Sequence, residues 1–364
     1  MKRRVALLFG GRSAEHEISC VSARSVAEAL DSDRYDLVSV GITREGTWHV
    51  LPGGPPELPG PGGDLPAVTS SQGRGVSLSQ ETGKQELVGE DGSQMQVDVV
   101  IPLVHGPYGE DGTVQGMLEL AGVPYVGAGV LGSALGMDKA VQKTVLAAAG
   151  MSVVPHVAVN EFEWNADPAR LTAAANDLGY PLFVKPANLG SSIGITKVHD
   201  PSDLAGAMAE AFRYDTKAIV EASIEGAREI ECAVLGNDDP EASLPGEIVP
   251  SGEFYDYKAK YVDEDSELMI PAKLPEQLVA AVQRDAVTAF KAIQCSGMAR
   301  VDFFYREPED LIVNELNTIP GFTSISMYPK LWEASGLTYP QLLDRLIELA
   351  IERHERRAKK ETMP

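Results

Sequence analysis

Ala299-Arg300-Val301-Asp302-Phe303-Phe304 and the closely following Leu311-Ile312-Val313-Asn314-Glu315-Leu316-Asn317 both read as strands that carry polar groups at alternate positions. Alternation sets Arg300 and Asp302 on one face, and Glu315 and Asn317 on one face. The four-residue loop from Glu307 to Asp310 would fold the two strands into a hairpin with Asp302 opposite Glu315. A face of oxygen donors suits Mg²⁺ or Mn²⁺ rather than zinc, and Mg²⁺ usually completes its shell with waters and substrate phosphates. The stretch therefore points to nucleotide chemistry. Ordinary salt-bridged strand ends explain it less well, because apolar strands seldom bury unpaired carboxylates.

The rest of the chain bounds that reading. Its 364 residues, 44% of them hydrophobic, can bury large cores in two or three domains. A formal net charge of -22 argues against a nucleic-acid-binding surface, so a polyanion such as ATP must be held by local lysines, arginines or metal. The apolar run after Met1 is too short for a signal peptide and ends in glycine without a cleavage pattern, so it reads as a buried first strand. No window approaches the ~20 apolar residues of a membrane helix. Cys20, Cys232 and Cys295 are isolated and odd in number, which fits a reducing cytoplasm.

Val5 to Phe9, a turn at Gly10-Gly11-Arg12-Ser13, a helix from Ala14 to Ala29 and a strand from Asp36 to Ile42 give a βαβ start. From about 52 to 96 the composition shifts to Pro, Gly, Ser and Gln, which reads as an inserted loop and hairpin rather than core. Val97 to Leu103 is a third strand, Thr113 to Ala121 a helix and Val123 to Gly127 a short strand. Strands at 181–186, 218–221 and 229–235 suit a mixed α+β unit, and a helix from Pro275 to Ile293 precedes the hairpin. The last helix, roughly Tyr339 to Arg357, has an apolar stripe at Leu342, Leu343, Leu346, Ile347 and Ala350. The expected organisation is an α/β domain over 1–128, a central lobe over 129–222 and a C-terminal lobe over 223–364.

Two loops add ligand-facing features. The turn at Gly10 lacks the G-x-G-x-x-G spacing of a dinucleotide fold. Glu15 and His16 stand just after it at a helix start, where Glu15 either grips an ammonium group or stabilises the first helical turn. Lys185 ends a strand and precedes Pro186-Ala187-Asn188-Leu189-Gly190-Ser191-Ser192-Ile193-Gly194, a loop of small residues able to fold over phosphates. This is not a P-loop, since its lysine precedes the glycines; the alternative is a plain surface lysine.

Taken with GGRSAEHEIS from Gly10 to Ser19, HGPYGEDG from His105 to Gly112, Met137-Asp138-Lys139, Glu229-Ile230-Glu231, the stretch from Phe254 to Tyr261 and that from Asn314 to Ser324, these motifs resemble the ATP-grasp superfamily. Within it they are similar to the D-alanine:D-alanine ligase family, over nearly the whole chain. The resemblance implies an N-terminal α/β preATP-grasp domain followed by a two-lobed α+β ATP-grasp fold. It also implies ATP-dependent joining of two D-alanines through an acyl phosphate, for cell-wall precursors, with two Mg²⁺ or Mn²⁺ ions and a homodimer.

The same resemblance assigns roles. Lys139, Lys185 and Lys260 would neutralise ATP phosphates, with Ser192 in the phosphate loop. Glu221 and Ile224 would flank adenine, and Glu229 would bind the ribose. Asp302, Glu315 and Asn317 would hold the metals. Arg300 and the Gly321 N–H would stabilise the oxyanion, a task suited to a permanently charged fork. Glu15 would bind the first ammonium and link to Ser191 and Tyr261, while Ser326 and Met327 would receive the second D-alanine. His105 is either ligand-facing or structural. Tyr261 favours an amine as second substrate, since D-lactate-using relatives typically carry phenylalanine there; a D-lactate or D-serine acceptor is the alternative. A nicotinamide-dependent oxidoreductase would explain only the first βαβ unit. The stretch Glu221-Ala222-Ser223-Ile224 lacks the aromatic found near adenine in some members.

Overall fold

A computed structural model describes residues 2–58, 65–79, 81, 83–249, 267–308, 310–323 and 325–360. Lys260 and Tyr261, and the stretch from Phe254 to Tyr261 around them, lie outside the described residues, as does Ser324.

The N-terminal sheet contains β1 (Arg3–Gly10), β2 (Tyr35–Ile42), β3 (Trp48–Val50), β4 (Arg74–Leu78), β5 (Glu86–Gly89), β6 (Gln94–Gln96) and β7 (Val99–Pro102), in the order β6-β5-β4-β3-β2-β1-β7. β1 pairs in parallel with both β2 and β7, and Val5 to Phe9 are fully buried, as an unbroken apolar run requires of a strand covered on both faces. Helix α1 (His16–Ala29) follows β1 through Gly10 and Gly11, whose φ values of +86° and +101° favour glycine. A Cβ on Gly10 would lie 2.3 Å from the Ile42 carbonyl, so the turn that presents Glu15 admits no side chain there.

The stretch from 52 to 96 departs from its reading as a loop and hairpin outside the core. Its segments β4, β5 and β6 continue the N-terminal sheet by antiparallel pairing, and Val68 and Leu87 are buried. Short three- to five-residue strands separated by turn residues carry little periodicity, so pairing partners rather than local pattern decide them. Val123 to Gly127 forms no strand; Tyr125 makes one isolated parallel bridge to Val100. Helices α2 (Thr113–Ala121), α3 (Val130–Met137) and α4 (Lys139–Ala148) lead out of this region.

A second, antiparallel sheet orders as β10-β9-β11-β8, from β8 (His156–Asn160), β9 (Leu182–Pro186), β10 (Thr196–Val198) and β11 (Lys217–Ala222), with α5 (Glu161–Ala166), α6 (Pro168–Asn176) and α7 (Leu204–Ala211). The third sheet holds β12 (Arg228–Gly236), β13 (Glu241–Ala242), β14 (Gly246–Val249), β15 (Glu267–Met269), β16 (Gly297–Arg306) and β17 (Asp310–Asn317), in the order β15-β14-β12-β16-β17 with β13 on β12. It packs against α8 (Glu276–Ala292) on one side, around Phe290 and Phe303, and against α9 (Met327–Ala334) and α10 (Tyr339–Ala358) on the other, around Tyr328 and Leu342. Among the described residues no helix is long and apolar enough to cross a membrane.

Arg353 of α10 ties the first and third sheets together. Its guanidinium donates to the carbonyls of Gly127 and Tyr125 and to Ser296 Oγ, and it lies 4.4 Å from the Tyr125 ring centroid. Burial lowers its pKa, so its charge leans on these partners. Hydrogen bonds to a charged donor are worth about 1.5–3 kcal/mol each, which neighbouring bonds share. Arg353→Met is expected to cost about 2–4 kcal/mol in urea unfolding, and an unchanged midpoint would remove the tie from the stability of the fold.

Candidate active site

All the described residues that the sequence singles out for chemistry line one cleft of about 550 Å³ where the three sheets meet. The third sheet supplies its floor. β16 pairs with β17 so that Arg300 stands opposite Asn317 and Asp302 opposite Glu315, with a register shift just after Asp302. Alternation and the short loop together predict this pairing; the bulge at Asp302/Phe303 absorbs the mismatch further along the strands.

Arg300 grips Asp302 with two bonds, Nε to Oδ1 and Nη2 to Oδ2, both 2.7 Å, and its Nε lies 3.0 Å from Glu231 Oε2. Burial opposes its charge, but Asp302 and Glu231 outweigh it and hold the guanidinium pKa well up. Glu231 is buried and escapes a reading of the sequence for ligands; its alternation with Glu229 was the available signal. Asn317 donates its amide to Asp302 at 3.4 Å. Two carboxylates and an amide on adjacent strands fit a hard divalent cation by donor type. Among the described residues no group of three or more His, Cys, Asp and Glu side chains gathers as a metal cluster, so the amide of Asn317 is needed to complete this set.

A second wall of the cleft comes from α4 and β9. Asp138 caps α4 by accepting from Ala140 N and Val141 N at 3.1 and 3.0 Å, and it also pairs with Lys217 at 2.7 Å. That cap aims Lys139 inward, where its Nζ donates to the Leu189 carbonyl at 2.7 Å and lies 3.7 Å from Glu315 Oε2. Lys185 donates to Glu221 Oε2 at 2.6 Å. Fully buried Lys143, which the sequence reading missed, lies 3.2 Å from the other oxygen of Glu221. Burial opposes the charge on Glu221, yet Lys143 and Lys185 outweigh it and pull its pKa from 4.5 to about 2. At Lys143 burial prevails and lowers the ammonium pKa, whereas at Lys185 the nearby Glu221 and Glu315 outweigh burial and raise it. Lysine on the buried stripe of α4, alongside Ala140 and Leu146, is the signal that could have found Lys143.

Across the cleft the turn before α1 presents Glu15, only 5% exposed, whose carboxylate accepts the Ser191 hydroxyl. Gly106 and Gly190 close around it: a Cβ on either would sit within 3 Å of Glu15 Oε2. Ser191 and Ser192 both take left-handed backbone, with φ of +49° and +59°, a cost of order 1–3 kcal/mol each that concentrates at functional loops. His105 is buried with Nε2 3.1 Å from Ser22 Oγ and Nδ1 3.6 Å from Glu110. Burial opposes its protonation, but Glu110 and Glu15 outweigh it and raise its pKa. Both ring nitrogens of His105 thus face protein groups beneath Glu15.

Ser326 sits before α9, and its Oγ accepts from Thr323 N at 3.0 Å; Gly321 lies against it, with Met327 following. Ile224 and Glu229 line the same cleft, as does Phe183, whose ring lies 5.7 Å from Lys185 and 5.6 Å from Lys197.

Comparison with known proteins finds relatives along most of the chain. Residues 4–128 match the family described as D-ala D-ala ligase N-terminus, and residues 145–348 match D-ala D-ala ligase C-terminus. A D-alanine–D-alanine ligase of Shouchella clausii is 48% identical over 360 residues, covering 98% of this chain and 96% of the relative. The solved D-alanine–D-alanine ligase of Coxiella burnetii superposes with a TM-score of 0.83 at 40% identity, covering 98% of this chain and 96% of that one. The VanG D-Ala:D-Ser ligase of Enterococcus faecalis gives 0.83 at 39% identity, with 96% and 100% covered.

Proposed function

The chain belongs to the D-ala D-ala ligase family, and from that premise we propose that its cleft joins two D-alanines with ATP, giving D-alanyl-D-alanine, ADP and phosphate. The observation that carries the reading is the convergence of Lys139, Lys185, Arg300, Asp302, Glu315 and the Glu15–Ser191 pair on one cleft.

Lys139 and Lys185, together with Lys260, neutralise the ATP phosphates, with Ser192 among the phosphate-loop contacts. Glu221 and Ile224 flank adenine, and Glu229 takes the ribose hydroxyls. Asp302, Glu315 and Asn317 hold Mg²⁺ or Mn²⁺, which when bound offsets charge on the transferring phosphoryl group. A carboxylate oxygen of the first D-alanine attacks the γ-phosphorus, the bond to the ADP oxygen breaks, and an acyl phosphate forms. Glu15 holds the ammonium of that substrate, and Ser191 with Tyr261 closes the loops so that water does not reach the acyl phosphate. The neutral amine of the second D-alanine, its carboxylate held at Ser326 and Met327, then attacks the acyl carbon. Arg300 and the Gly321 N–H stabilise the oxyanion until phosphate leaves and the amine proton is lost. His105, buried under Glu15, supports the substrate side.

The D-Ala:D-Ser relative supports a second reading in which a hydroxy amino acid takes the acceptor place; Tyr261 supports the amine of D-alanine over D-lactate. The enzyme is further read as a cytoplasmic homodimer with lobes at 129–222 and 223–364 behind an N-terminal domain at 1–128. The test is phosphate release from ATP and Mg²⁺ with D-alanine, L-alanine, D-serine or D-lactate as the varied substrate, the product identified by mass. Dipeptide formed from D-alanine alone is the expected result. Depsipeptide, or a D-alanyl-D-serine product in excess, would overturn the acceptor assignment, and no product with any of them would overturn the reading as a ligase.

A further inference from the structure

Lys143 takes no part in the reaction as derived above, yet it is 1% exposed and lies between the groups that do. It stands one helical turn after Lys139 on α4, and its Nζ donates to the Asn314 carbonyl of β17 while lying 3.2 Å from Glu221 Oε1 of β11. One ammonium therefore joins a helix to both C-terminal sheets. Gln142, also 1% exposed, reinforces the contact: its side-chain amide donates to Leu316 O at 2.9 Å and accepts from Leu316 N at 3.0 Å, pairing with β17 as a neighbouring strand would. The backbone is thus held on both sides of Glu315, whose carboxylate faces Lys139 at 3.7 Å.

Burying an amine carries a desolvation cost that an apolar residue of similar volume would avoid. What the amine adds is charge and register. With Glu221 shared between two lysines, the Lys143–Glu221–Lys185 cluster keeps one net positive charge beside the phosphate side of the cleft. Without Lys143 the Glu221–Lys185 pair would be neutral.

We infer that Lys143 is a positioning residue for the nucleotide: it shares the charge of Glu221 across a 3.2 Å ion pair, so that Glu221 does not fully neutralise Lys185 for an ATP phosphate, and it fixes β17 so that Glu315 faces Lys139. The inference rests on the nucleotide placement proposed above. In the full-length protein, Lys143→Met is expected to raise the dissociation constant of Mg-ADP and the KM for ATP about tenfold or more, with the KM for D-alanine within about twofold. Unchanged nucleotide constants alongside a lowered melting temperature would reduce Lys143 to a structural residue and overturn the inference. In a Glu221→Gln background the same substitution should add less than about threefold, because the group it positions is already altered; full additivity would count against it. Should the Met variant not fold, Lys143→Arg keeps the charge but displaces the contact to Asn314: a weakened Mg-ADP affinity supports the role, and wild-type affinity overturns it. ADP binding needs no ligation, so a wild-type chain that binds ADP but forms no dipeptide would sink the reaction and leave this inference standing.

Discussion

Glu315→Gln is expected to leave the chain folded and to cut ATP-dependent phosphate release by about two to three orders of magnitude. The substitution keeps the size of the side chain and the β17 pairing to Asp302, which is a backbone register. What it removes is one of the two carboxylates of the proposed metal-binding face, and with it the anionic partner that Lys139 meets at 3.7 Å. A neutral amide oxygen remains a ligand, so added Mg²⁺ should recover part of the loss by mass action, while D-alanine should recover none. The loss belongs chiefly to turnover, because charge offset matters most as the phosphoryl group transfers. Circular dichroism and the melting temperature check folding, and phosphate release over a Mg²⁺ series checks the role. Turnover near wild type at ordinary Mg²⁺ would remove Glu315 from the metal set.

The contrast between Glu315 and Lys143 shows what a sequence exposes. Glu315 is legible because strand alternation is local: Leu316 beside it is buried while it and Asn317 share the open face. The apolar stripe of α10 was legible for the same reason, with Leu342, Leu343, Leu346, Ile347 and Ala350 all buried. Lys143 and Gln142 belong to the other class. Their partners lie more than 170 positions away, at Asn314 and Leu316, and nothing in α4 itself names them. Glu231 is similar, since its meaning comes from Arg300 on the paired strand β16. The insertion from 52 to 96 was misread because Val68 finds its burial against Gly41 and His16, contacts that only the folded turn creates. Its N–H donates to His16 Nε2 at 2.9 Å while His16 Nδ1 meets Gly11 O at 2.8 Å, so the insertion is latched to the turn that presents Glu15. The polar residues that look like loop composition thus sit beside a strap that supports the turn carrying Glu15.

Arg300→Lys should be nearly as damaging, lowering dipeptide formation by about 10²- to 10³-fold, and its signature separates the two chemical steps. Lysine retains the charge, so the substitution tests geometry. The guanidinium spans Asp302 with two 2.7 Å bonds and reaches Glu231 at 3.0 Å, a planar fork that a single ammonium cannot reproduce. Keeping one cation between two largely buried carboxylates should also keep the fold, where a neutral residue would leave their charges facing each other. If Arg300 serves the oxyanion that forms when the amine attacks, phosphoryl transfer to the first D-alanine should survive better than dipeptide formation. Positional isotope exchange in ATP, which follows reversible acyl phosphate formation, would then persist in the variant while dipeptide nearly disappears. Equal losses in both would place Arg300 at the phosphoryl group, and dipeptide formation within about threefold of wild type would show that charge alone, without the fork, meets the demand at this position.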